Sequence, residues 1–258
     1  MDNFRLHGNA PYNIIFLHGG PGAAGEVAFP SKKLSKEFGV IEAFQTQSSI
    51  KKQVQELKNL ITEQAEDQFQ LIGWSWGAWL AYIFTATYPE YISKLFLISS
   101  GPFESKYSEG IMKTRLSRLK EDEQVELITM FETFDKSDLY LEAILSLINY
   151  ADTYESIQET EDNIIFNYKI YKKIWIEAEK LRKTGKLIEY GKQITCPVVA
   201  VHGDYDPHPY EGVIIPLKKT INNLNYFILE KCGHHPWYEK NAEKDFFRIL
   251  KKEINILQ

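Results

Sequence analysis

In the stretch Phe69-Gln70-Leu71-Ile72-Gly73-Trp74-Ser75-Trp76-Gly77-Ala78-Trp79-Leu80-Ala81-Tyr82-Ile83-Phe84, the apolar pattern changes character at a single serine. Before it, Phe69 to Ile72 is a short apolar run of strand length. After it, Trp76 to Thr87 is long enough for a helix and is stopped by Pro89. Gly73-Trp74-Ser75-Trp76-Gly77 fits the pattern G-x-S-x-G between them, where a sharp strand-to-helix turn lifts a serine hydroxyl out for attack. The flanking glycines suit a place where neighbouring backbones pass too close for side chains. The pattern alone is equally compatible with a buried serine in a glycine-punctuated turn. Gln68 to Pro89 holds 22 residues without a charge, enough to cross a bilayer. Its polar and glycine-rich first half and the change of period favour a buried strand followed by a buried helix.

Working outward, similar units recur. Asn13 to Leu17 reads as a strand ended by His18-Gly19-Gly20-Pro21-Gly22. A helical segment follows at about Pro30 to Phe38, and a brief strand at Val40 to Phe44. Ser48 or Ser49 can cap a helix whose Ile50, Val54, Leu57 and Ile61 share one face. Leu95 to Ser99, Val198 to His202 and Tyr226 to Leu229 read as further strands, and about Asn241 to Ile256 as a final helix. Strands alternating with helices predict an α/β fold: a mostly parallel sheet with helices on both faces. Between Phe103 and about Tyr190 the alternation stops. No convincing strand is present there, and Val125 to Phe134 and Ile164 to Leu181 are amphipathic. Residues 103–190 are therefore expected to form an all-helical cap insertion, and 1–102 with 191–258 the core.

The 258 residues are 44% apolar and 14% aromatic, ample for a packed core. A net charge of -5 argues against nucleic acid as a partner, because phosphate contact needs a basic face. Two cysteines, Cys196 and Cys232, cannot staple a chain of this size. They sit at opposite ends of neighbouring strands, beyond disulfide reach. Met1 to Ala10 has no apolar core of a signal peptide, so a cytoplasmic location without membrane insertion is expected. The oligomeric state is not readable from the sequence.

Three more motifs follow strands. His18-Gly19-Gly20-Pro21-Gly22 can offer backbone N–H groups to an oxyanion; a tight turn is the plain alternative, and the absence of G-x-G-x-x-G or a Walker lysine disfavours a phosphate loop. His202-Gly203-Asp204-Tyr205-Asp206-Pro207 supplies carboxylates, and Cys232-Gly233-His234-His235-Pro236-Trp237 supplies imidazoles. A serine nucleophile needs a base to take its proton and a carboxylate to orient that base. The order Ser, Asp, His, with each member after a strand, meets that need.

On these four motifs the chain resembles the α/β-hydrolase family over nearly its whole length. The resemblance implies Ser75 as nucleophile, His234 as base (with His235 the less favoured neighbour) and Asp206 as acid (with Asp204 as fallback). It implies the backbone N–H groups of Gly20 and Trp76 as the oxyanion hole. The glycine loop and the Ser-Trp-Gly elbow are most similar to proline iminopeptidases and their relatives. Trp74 stands where those enzymes usually have glycine, Ala43-Phe44-Gln45-Thr46-Gln47-Ser48 replaces their Arg-Gly loop, and the N-terminal hairpin is nearly absent. The expected activity is hydrolysis of an ester or amide in a small molecule or short peptide, without cofactor or metal. A carboxylesterase or lipase-like enzyme and a ligand-binding sensor with little turnover are the alternatives.

Trp74 and His208 are candidates to line the substrate site, although a surface loop is the plainer reading of His208. Trp79 reads as core and His7 as a surface residue. The spacing of His and Cys gives no metal-ligand cluster. Residues 103–190 carry 18 acidic and 13 basic side chains, so they hold all of the net negative charge. Glu121 to Asp162 alone contains 13 acidic residues against Lys136. A solvated acidic surface explains this; the sharper expectation is a cap that draws in an amine-bearing substrate.

Overall fold

Strands β5 (Phe69–Trp74) and β6 (Ile92–Ile98) lie at the middle of a seven-stranded sheet, and nearly every strand residue there is buried. The computed structural model describes residues 3–64, 68–133, 141–157 and 164–256. In chain order the first half contains β1 (Phe4–His7), β2 (Ile14–Leu17), β3 (Ala23–Ala24), α1 (Ala28–Leu34), β4 (Val40–Ala43) and α2 (Ile50–Thr62). Then come β5, α3 (Trp76–Thr87), β6, α4 (Ile111–Leu116), α5 (Glu121–Thr133) and α6 (Leu141–Asp152). The remainder is β7 (Ile165–Phe166), α7 (Tyr168–Lys183), α8 (Lys186–Glu189), β8 (Val198–Gly203), α9 (Glu211–Leu217), β9 (Leu224–Leu229) and α10 (Glu243–Asn255).

The sheet order is β1-β4-β2-β5-β6-β8-β9, with every pairing parallel except the antiparallel β1 edge. Pairing in register lines up residues of one parity into rows. Ile41, Ile15, Leu71, Leu95 and Val198 form one such row and belong to the core under α2, α3 and α7. Phe16, Ile72, Phe96 and Val199 form the row on the opposite face, packed with α1 and α10. A sheet covered on both faces explains why its strands read as continuous apolar runs rather than alternating ones. Glu42 sits in that second row, fully buried, paired to His7 at 2.8 Å and Arg5 at 3.4 Å. His7 is therefore a hydrogen-bond partner of a buried carboxylate and not a bare surface residue.

The serine-bounded stretch folds as read: β5 runs to Trp74, α3 starts at Trp76, and Ser49 caps α2 by accepting from the Lys52 N–H. Among the described residues no helix is long and apolar enough to cross a membrane. Both cysteines are free thiols. Within the described part of residues 103–190, Ile165 and Phe166 depart from the sequence reading. Ile165 and Phe166 pair antiparallel with Ala24 and Ala23, so α7 begins at Tyr168 rather than Ile164. A β-branched residue and an aromatic, next to an Asn167 that caps α7, favour the extended form once an edge is offered to them. α4, α5 and α6 share a small apolar cluster around Leu127, Met130 and Ile144. Phe134, Asp135, Asp138, Glu159, Glu161 and Asp162, which belong to the amphipathic and acidic stretches noted above, lie outside the described residues.

Helix α3 crosses the sheet in near-contact with backbone. A Cβ on Gly73 would sit 2.2 Å from the Gly77 carbonyl oxygen, and one on Gly77 2.5 Å from that of His18. Gly77→Ala is expected to lose about 1–3 kcal/mol of stability in urea unfolding, because backbone has to move. Gly110→Ala, with no atom within 4 Å of the added carbon, should stay within about 0.5 kcal/mol of wild type.

Candidate active site

All the parallel strands point the same way, so the loops leaving β2, β5, β8 and β9 meet along one sheet edge, the usual place for a site in such sheets. Those loops carry His18 to Gly22, Ser75, Asp206 and His234. Ser75 has φ 54°, ψ -116°, a left-handed conformation costly for a residue with a Cβ. It is held by its N–H on the Ile98 carbonyl at 3.0 Å and by its own carbonyl on the Ala78 N–H at 3.1 Å.

Ser75 Oγ lies 3.0 Å from His234 Nε2, and His234 Nδ1 lies 2.7 Å from Asp206 Oδ2. An ionised carboxylate only accepts, so Nδ1 carries the proton and Nε2 is left to accept from the serine hydroxyl. Burial alone would push the Asp206 carboxyl up. The facing histidines His234, His208 and His202 outweigh burial and hold it well below the usual carboxylate range. Asp204 points elsewhere: its Oδ1 accepts from the Cys232 N–H at 3.3 Å. His235 is also outside the relay, with its ring 4.5 Å from that of Trp74.

Trp74 does not line an open site. It is 3% exposed, and its indole N–H donates to the His234 carbonyl at 2.9 Å. Its position in the strand just before the serine aims it under the histidine loop. The surface reading of His208 also fails. Its Nδ1 donates to Asp206 Oδ1 at 2.8 Å, and its ring centroid is 4.7 Å from that of His234. Trp79 is core, with its indole N–H on the Gly101 carbonyl at 2.9 Å.

The glycine loop is anchored through its histidine. The Gln45 N–H donates to His18 Nε2 at 3.1 Å, which places the ring proton on Nδ1, facing the Gly19 carbonyl. Gln45 also donates from its side chain to the His18 carbonyl at 2.9 Å. Among the described residues neither the Gly20 nor the Trp76 backbone N–H has a protein acceptor. Trp76 is the first residue of α3, where an N–H has no partner inside the helix.

Several supporting residues carried no sequence signal. Glu239, 1% exposed, accepts from the Gly233 and Tyr154 N–H groups with one oxygen and from the Glu155 N–H with the other, each at 2.8 Å. The His234 N–H donates to the Asp152 carbonyl at 2.8 Å. Arg118 donates to the carbonyls of Ala151 and Tyr205. The segment ending α6 is thus bonded to both the acid loop and the histidine loop. Asp152, a buried acidic side chain of 103–190, is held by Arg115 through two bonds of 2.7 and 2.6 Å. That pair leaves no net charge there to attract an amine.

Contrary to the sequence spacing, Asp206, His208 and His234 do form a group whose ligand atoms lie within 4.8 Å of one another. Both carboxylate oxygens already accept imidazole N–H groups, so a cation would have to displace these bonds.

A family model described as alpha/beta hydrolase fold matches residues 53–241. The monoacylglycerol lipase ABHD6 of Bos taurus is 26% identical over 64% of this chain and 49% of its own length, so the chain spans about half of that relative. A proline iminopeptidase of Heyndrickxia coagulans is 24% identical over 89% of this chain and 86% of its own. Among solved structures, VinJ superposes with a TM-score of 0.73 at 16% identity, covering 99% of this chain and 95% of that one.

Burial holds His18 and His208 down to about 4 and His235 to about 3. In the unfolded chain each protonates near 6.5, so below that pH the unfolded state binds more protons. Stability is full above about pH 6.5 and falls as pH drops toward 4. Each histidine steepens the fall by up to about 1.4 kcal/mol per pH unit. Thermal unfolding should show a lower Tm at pH 5 than at pH 7; a Tm independent of pH over this range would contradict the buried, neutral assignment.

Proposed function

Because the chain belongs to the α/β-hydrolase fold family, we propose that it is a serine hydrolase cleaving a carboxylic ester of a small molecule through an acyl-enzyme. The reading rests on the relay of 3.0 and 2.7 Å from Ser75 through His234 to Asp206. In it, Ser75 Oγ attacks the substrate carbonyl while its proton passes to His234 Nε2. Asp206 holds the imidazole in the tautomer that can receive this proton and stabilises the cation that forms. The oxyanion is taken up by the Gly20 and Trp76 N–H groups, which need not break any protein hydrogen bond to do so. His234 then protonates the departing alcohol oxygen. Water, deprotonated by the same nitrogen, releases the acid and restores Ser75. The overall change is redox-neutral and this route uses no cofactor.

In this reading residues 103–190 serve as a cap over the sheet edge. The contacts that support it are the Asn167 N–H on the Gly22 carbonyl at 2.8 Å and the Asp152 carbonyl under His234. An amide of an amino-terminal residue is the second substrate class. It is favoured by the glycine loop and by similarity to an iminopeptidase over most of both chains. The Asp152–Arg115 pair, which leaves no unpaired carboxylate at that point, favours the ester reading.

Short acyl esters and aminoacyl arylamides, prolyl ones included, tested on wild type and Ser75→Ala decide between these. Multiple turnovers on esters are expected, with Ser75→Ala reduced at least ~10³-fold in kcat. Full turnover by Ser75→Ala would overturn the mechanism, and stoichiometric binding without turnover would identify a sensor. Preference for prolyl arylamides, with kcat/KM falling as salt is added, would support the amide reading and an acidic cap that steers amines.

A further inference from the structure

We propose that His208 is a positioning residue of the hydrolytic relay: it holds the second oxygen of Asp206 and the ring of His234, so that the base keeps one orientation through the proton transfers. The proposal rests on the Ser75–His234–Asp206 reading above and adds a fourth side chain to it.

Asp206 Oδ1 accepts two bonds from residue 208, the backbone N–H at 2.9 Å and the ring Nδ1 at 2.8 Å. The backbone bond alone closes a turn of the Asp-x-x type, which any residue at 208 would provide. The ring bond depends on the side chain. Oδ2 is the oxygen that faces His234, and His202 Nε2 stands 3.4 Å from it. His202 Nε2 is also 2.7 Å from the His208 carbonyl, so a buried imidazole pins the backbone of the same residue. The carboxylate therefore meets donors on both oxygens and has no room to rotate toward another partner.

A structural staple would need only the bond to Asp206. The His208 ring also lies 4.7 Å from the His234 ring at 35°, in contact with the group that moves the proton. The charged and titratable groups facing His208 are Asp206 on its own loop, His234 on the loop after β9 and Arg115 on α4. Burial keeps His208 neutral, so it donates a hydrogen bond to the carboxylate without placing a second cation beside His234. That donation draws negative charge away from Oδ2. Asp206 stays ionised, and its hold on the His234 cation is tempered enough for the proton to be passed on to the leaving alcohol.

His208→Phe keeps a ring and removes the donor; His208→Asn keeps a donor near the Nδ1 position and removes the ring. The pH dependence of kcat and KM on a short acyl ester is measured for both, beside Ser75→Ala, with circular dichroism as the check on folding. In His208→Phe, kcat should fall about tenfold or more with KM within about twofold. Its acidic limb of kcat/KM should move to higher pH, because an Asp206 without the second donor stabilises protonated His234 more. His208→Asn should keep the limb of wild type and recover only part of the lost kcat, because it restores the donor to Asp206 but not the ring beside His234. A folded His208→Phe with the kcat and acidic limb of wild type would overturn the proposal. So would equal losses in both variants with an unmoved limb, which mark a structural staple only. Undiminished turnover by Ser75→Ala is a separate result: it removes the relay itself, whatever the His208 variants do.

Discussion

The turn at Ser75 is the constraint to which the rest of the architecture is fitted. A residue with a Cβ is held at φ 54°, which is tolerated only where surroundings over-determine the backbone. Here the strand before it is paired on both sides and the helix after it is buried on every face. The close passage of α3 over the β5 and β2 termini leaves space for hydrogen alone at Gly73 and Gly77. At the start of that helix the Trp76 N–H, one residue after the serine, has no partner inside the helix. Strain, crossing and donor are consequences of one geometry.

Around this turn the polar groups are placed by a few buried carboxylates, each saturated with donors. Asp206 accepts from imidazoles on both oxygens, and Glu239 from three backbone N–H groups. Buried charge is tolerable when its lone pairs are filled in this way. The arrangement also ties segments far apart in sequence. Glu239 joins the histidine loop to residues 154 and 155, and Arg118 joins the Ala151 carbonyl of α6 to the acid loop through the Tyr205 carbonyl. The described residues between β6 and β8 therefore help to fix the position of His234.

Much of the fold was legible because its elements obey local rules. The helix after Ser49 shows a cap and a single apolar face, and the run from Trp76 ends near a proline. The four strand-end motifs stand together because parallel pairing brings all those ends to one edge, so their order along the chain already implied their proximity. Where the reading missed, the determining partner was remote. Ile165 and Phe166 follow a helical pattern, but Ala23 and Ala24 offer them an edge. His7 looks like a surface residue until β1 pairs with β4 and brings Glu42 beside it. Trp74, adjacent to the serine, suggested substrate contact; the pleat instead turns it toward the opposite face of the sheet, beneath His234.

The sequence by itself determined the α/β alternation, the turn at Ser75 with its candidate nucleophile, and the excess of negative charge in residues 103–190. These follow from periodicity, glycine placement and residue type, all of which act over a few neighbours. Only the tertiary structure decided between Asp204 and Asp206 as the carboxylate that meets His234, because two residues of loop separate a bond to a backbone N–H from a bond to an imidazole. It also decided that Asp152 is neutralised by Arg115, 37 positions away. Such pairings depend on where the chain returns in space, which local periodicity does not encode.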